Sequence, residues 1–100
     1  MLNYGNGTTA LVTADAQTVA TGYIVRVYAI HIISGGGGAA VVSFKSGGSG
    51  GTTYLTETGT ASTGKTITYG EGGIVFPAGL YVDVDANTTS VAVTYNVTSA

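Results

Sequence analysis

The side chains able to do chemistry in this 100-residue chain are few and scattered. His31 is the only histidine, and there is no cysteine. A Ser-His-Asp triad needs a carboxylate to orient the base and a nucleophile beside it. Ser34 follows His31 closely, but no nucleophile-elbow motif surrounds it, so the geometry of a site has no starting point. As a metal ligand His31 lacks neighbouring His or Cys partners. Glu57 and Glu71 are of the right type for glycoside cleavage, which sets two carboxyls across a cleft, one with a raised pKa. Both stand among Thr and Gly and read as solvated surface acids.

Asp83 and Asp85 are the best candidates to hold a cation. Alternation along an extended segment puts both carboxylates on one side, about 7 Å apart at their Cα atoms. Asn87 follows, and its side chain or a backbone carbonyl adds oxygen. Calcium takes six to eight oxygens. Asp-x-Asp-x-Asn resembles the opening of a calcium loop, but the later Gly and Glu of an EF-hand are missing. Two exposed acids leading into a turn at Ala86-Asn87-Thr88 is the plainer reading, because the local ligand count falls short. Gly35-Gly36-Gly37-Gly38 is no phosphate loop, since the Lys and the following helix are absent. No catalytic residue and no cofactor is assigned, and the chain is expected not to be an enzyme.

The segments that carry these residues are short and extended. Val, Ile, Thr and Tyr abound, and such side chains fit a pleated surface. Seventeen glycines fall between the apolar runs, where turns need positive φ. Candidate strands cover residues 10–13, 18–21, 23–34, 40–45, 53–58, 66–69, 73–76, 80–85 and 90–97. Regular spacing of this kind predicts an all-β fold, an antiparallel β-sandwich, jelly-roll-like, of about eight short strands. Residues 1–9 are expected to form a flexible N-terminal arm and residues 10–100 a single sandwich domain. Period-two alternation puts Leu80, Val82, Val84, Val91, Val93 and Tyr95 toward the core.

Residues 23–34 depart from that alternation, with apolar side chains on both faces. One face holds Tyr23, Val25, Val27, Ala29, His31 and Ile33; the other holds Ile24, Arg26, Tyr28, Ile30 and Ile32. A thin sandwich buries one face only, and an apolar outer face marks an interface. Subunit contacts are therefore expected on Ile24, Arg26, Tyr28, Ile30 and Ile32. The alternative is a long strand that bends and serves two sheets, burying a different face in each half.

Composition points the same way. Hydrophobic residues make up 44% of the chain and charged residues 8%, against about 25% charged in a typical domain. So few charges favour association with other protein surfaces. Arg26, Lys45 and Lys65 are the only basic residues of Lys or Arg type, and the net charge is −2. Nucleic-acid binding needs a cationic cluster, so no nucleic-acid partner is expected. No run approaches a membrane span, and residues 1–7 lack the features of a signal peptide. No membrane partner is expected, and synthesis in a cytoplasm is the default.

Two stretches have a family texture: Val27-Tyr28-Ala29-Ile30-His31-Ile32-Ile33-Ser34-Gly35-Gly36, then Phe76-Pro77-Ala78-Gly79-Leu80-Tyr81-Val82-Asp83-Val84. A strand ending in Ser-Gly, then a Phe-Pro-x-Gly corner feeding an alternating strand, resembles the small sandwich or jelly-roll decoration (cement) proteins of tailed phages, marine or cyanobacterial. The resemblance covers roughly residues 23–97 and rests on layout, with no signature motif. It implies a virion structural protein on the capsid surface, made in the host cytoplasm. It implies binding to the major capsid protein as a homo-oligomer, with a trimer favoured, and stabilisation of the head. A phage tail or fibre component and a small carbohydrate-binding module are the alternatives. Seven tyrosines without a tryptophan weaken the last of these.

Overall fold

The computed structural model describes residues 8–99, which contain no helix. The nine strands are β1 (Thr8–Val12), β2 (Ala16–Val19), β3 (Tyr23–Ser34), β4 (Ala40–Ser46), β5 (Thr52–Gly59), β6 (Gly64–Thr68), β7 (Ile74–Phe76), β8 (Leu80–Val84) and β9 (Thr88–Ser99). Each segment read as extended from the sequence is a strand, with ends shifted by a few residues. Residues 1–7 of the expected arm lie outside the described residues. Thr8 and Thr9 do not belong to an arm: they pair with Tyr95 and Thr94.

Two antiparallel sheets form. The first has the order β1-β9-β3-β6 with β7 also on β3; the second is β2-β8-β4-β5. The topology follows from doubling the chain on itself. The β4–β5 hairpin sits at the fold point, and β3 with β6, β2 with β8, and β1 with β9 pair behind it. Rolling that ribbon brings β3 beside β9 and β4 beside β8, which is the jelly-roll arrangement. Because β6 and β7 lie end to end on one edge of β3, the nine strands fill eight positions.

Between the sheets lies an apolar core whose largest fully buried side chains are Phe44, Phe76, Ile30, Ile32 and Leu80. Of the expected core residues, Leu80, Val82, Val91, Val93 and Tyr95 are buried, and Val84 packs half-buried against them. Val97 shares their face of β9 but is exposed. Among the described residues, β1 pairs with β9 as far as Tyr95, and Val97 lies beyond that pairing.

The twelve-residue β3 is not a regular strand. Its register against β9 shifts between Val27 and Ala29, leaving Tyr28 as an extra residue. Such a bulge reverses which face the following residues present. Val25 and Val27 point inward before it, and Ile30, Ile32 and Ser34 point inward after it. The opposite edge breaks at the same place: β6 covers residues 29–33 and β7 covers 25–27. Tyr69 N–H donates to the Tyr28 carbonyl at 2.8 Å across this gap. Gly73 closes it at φ 60°, where an added Cβ would come within 2.7 Å of the Val27 carbonyl oxygen.

Candidate docking face

Asp83, Asp85, Glu57 and His31 are each engaged in a structural contact. Asp83 Oδ2 lies 3.0 Å from Lys45 Nζ, as an ion pair on the outer face of the second sheet. Asp85 caps the turn into β9: its Oδ2 accepts from Val41 N–H at 3.0 Å, and its Oδ1 from Asn87 N–H at 3.1 Å and Thr88 Oγ1 at 2.9 Å. Burial of Asp85 works to raise its pKa. The hydrogen bonds from Thr88, Val41 and Asn87 outweigh that and hold the carboxyl below its ordinary value. Asp15 Oδ1 accepts from Val84 N–H at 2.8 Å in the same way. Among the described residues, no three His, Asp or Glu side chains gather closely enough to hold a metal ion.

Glu57, half-buried on β5, accepts from Tyr69 Oη at 2.9 Å. Burial pushes the Tyr69 hydroxyl well above the ordinary phenol range, and the hydrogen bond to Glu57 and its charge push the same way. With Lys65 Nζ donating to the Thr58 carbonyl at 3.1 Å, this pair clasps the open side of the sandwich between β5 and β6. Glu71 stands exposed in the turn after β6. His31 Nδ1 and Thr66 Oγ1 share a hydrogen bond of 2.6 Å across β3 and β6.

Of the five residues expected at a subunit contact, the bulge removes two. Ile30 and Ile32 are 1% and 0% exposed, so they belong to the core and not to a surface. Ile24, Arg26 and Tyr28 remain on the outer side of the first sheet, Arg26 with its guanidinium donating to the Gly72 carbonyl. After the bulge the outward set becomes Ala29, His31 and Ile33. The weighed alternative, a strand that buries a different face in each half, is what the structure has, although β3 stays within one sheet.

The outer face is built from level rows across the strands. Leu11, Ala92, His31 and Thr66 make one row; Thr9, Thr94, Ala29 and Thr68 make the next; Asn96, Arg26 and Val75 make a third. Leu11 is 69% exposed, Ile33 40% and Val75 37%. The three rows contain no carboxylate: Asp15 and Asp85 lie in turns, Glu57 on β5 and Asp83 on β8, while Glu71 stands exposed at the edge, in the turn beside Gly72, whose carbonyl Arg26 engages. Arg26 and His31 are the charged or titratable side chains of these three rows, among Thr, Ala, Asn, Leu and Val. Leu11 and Val75 were not legible as partners in this face. Their strands are too short to show a period, and only the pairing to β9 and β3 sets which way they point.

Fold and site together define an all-β, jelly-roll-type sandwich with a charge-poor outer face. No protein-family model and no curated protein matches the chain. Among solved structures it is similar to a chain described under the words "Bacillus endospore appendages form a novel family of disulfide-linked pili", at 15% identity and a TM-score of 0.42, covering 97% of this chain and 92% of that one. A likeness at that level carries no argument about function.

Proposed function

We propose that this chain is a structural subunit that works by binding protein surfaces, and that it decorates the head of a tailed phage. In this reading it binds the major capsid protein lattice as an oligomer and stiffens it. The observation that carries the structural role is the outer face of the first sheet, with Leu11, Ile33 and Val75 exposed and no carboxylate in its three rows. Leu11 and Val75 stand at opposite ends of this face, so the reading rests on how few charges the face carries, since depletion of charged residues is what distinguishes the core of a protein interface. The engagement of Asp83, Asp85 and Glu57 in structural contacts favours the same reading over an enzyme. The phage head enters through the resemblance in residues 27–36 and 76–84. Weak contacts repeated around a lattice gain effective concentration and hold as a group.

The test is co-sedimentation of the purified chain with phage heads stripped of accessory proteins. Binding is expected to saturate at a fixed ratio to the capsid subunit, and loaded heads are expected to survive heating or osmotic shock that bursts bare ones. A chain that stays in the supernatant with every head preparation, or that pellets only with tails, defeats the capsid reading.

A further inference from the structure

We propose that the outer face of the first sheet binds a second copy of this chain, about a two-fold axis lying in the plane of contact. The inference rests on reading the chain as a structural subunit, and is independent of which particle it serves.

The size of the face suits such a contact. The described chain measures 41 × 29 × 17 Å along its principal axes. The short extent is the stack of two sheets, so each face spans roughly 1,200 Å² in outline from those longer dimensions. A stable interface takes about 800 Å² from each partner.

The charge pattern favours a copy over a partner of another kind. An acidic partner would need a cluster of cations, and this face offers Arg26 and His31 on rows at different heights. A basic partner would need clustered carboxylates, and Glu71 stands alone at one edge. A second copy asks for neither.

The placement of the exposed apolar residues at the two edges of the sheet fits a two-fold axis. Leu11 is on β1, one row to one side of the central Thr94–Ala29 row. Val75 is on β7, at the opposite edge and one row to the other side. With strands about 4.8 Å apart and rows about 7 Å apart, the two stand at opposite ends of one diagonal of the face, at equal distances from its centre. A two-fold axis along the other diagonal sets Leu11 of one copy on Val75 of its partner, and does so twice. The strands of the two faces then cross at nearly a right angle, one of the two ways in which sheets pack. The same operation carries Arg26 of the partner to the β1 edge, away from the first copy's own Arg26 on β3, so like charges do not meet. Only a self-complementary patch closes in this way.

The experiment is sedimentation equilibrium of the full chain over a wide concentration range, with Leu11→Glu and Val75→Lys as variants. Both positions are exposed, and melting curves check that each variant keeps its fold. The wild type is expected to form a dimer, and each variant alone to raise the dissociation constant at least tenfold. Mixing the two variants is expected to restore association, because a mixed pair has one Glu–Lys contact and one native contact. A wild type that stays monomeric, a species of three times the chain mass, or a mixture no tighter than its components would overturn the proposal. A dimer that ignores phage heads would defeat the capsid reading and leave this one standing; a monomer that binds heads would do the reverse.

Discussion

The bulge at Tyr28 decides which isoleucines of β3 hold the fold together, and truncation tests it. In Ile30→Ala the lost side chain lies 1% exposed between Val93 of β9 and Ile67 of β6. Three carbon groups leave the core at about 0.8 kcal/mol each. The space they vacate between two sheets cannot fully collapse, which raises the total to about 3–4 kcal/mol. In a domain of this size each kcal/mol moves the melting temperature by about 4–8 °C. A fall of roughly 12–30 °C is therefore expected for Ile30→Ala. Ile33→Ala, at a position 40% exposed, is expected to stay within about 0.5 kcal/mol of wild type. The assay is thermal and urea unfolding at two protein concentrations, so that any contribution from self-association shows as a concentration dependence. Were β3 a regular strand continuing the inward set Val25 and Val27, then Ile33 would be the buried residue and the order of the two costs would reverse. That reversal, or equal costs, would refute the bulge.

Gly73→Ala is expected to cost about 1–3 kcal/mol, the range for backbone strain in a sparsely populated conformation, because φ is 60° and the new Cβ meets the Val27 carbonyl. An unchanged urea midpoint would mean that the gap between β6 and β7 is not closed there. The Asp85 carboxyl is held below its ordinary pKa in the fold, so its contribution is present above the unfolded value of about 4 and is lost as pH falls through the lower folded one. Asp85→Asn is expected to be less stable than wild type at neutral pH and to converge with it in acid; a gap that persists at low pH would count against the turn-capping role. Tyr69 has the opposite sign. Its raised pKa favours the neutral phenol, so that stability is fully present below about pH 10 and lost as pH rises through the folded value. In an ultraviolet absorbance titration of the folded chain one tyrosine should ionise after the others, and Tyr69→Phe should abolish that late step.

The class of fold and much of the core were legible from residue order alone. In β8 and over residues 91–97 of β9 the large apolar residues Leu80, Val82, Val84, Val91, Val93, Tyr95 and Val97 fall on every second position, and a period of two admits one assignment of faces once one side is buried. The Gly-rich stretches marked the chain reversals, because turns there need backbone angles that side chains resist. The absence of cysteine also needed no coordinates. What β3 does was not legible. Val25, Val27, Ile30 and Ile32 are all good core residues, and their neighbours Ile24, Tyr28 and Ile33 are apolar too, so hydrophobicity alone cannot locate a one-residue phase change. That change exists because β9 stays regular on one side while β6 and β7 leave a gap on the other, which is a property of three strands at once. The outer face of the first sheet depends on it: His31 and Ile33 turn outward only past Tyr28, and Leu11 and Val75 join them from strands of five and three residues. Local sequence determines which residues prefer burial, and the pairing of distant strands determines which of them the two sheets have room to bury.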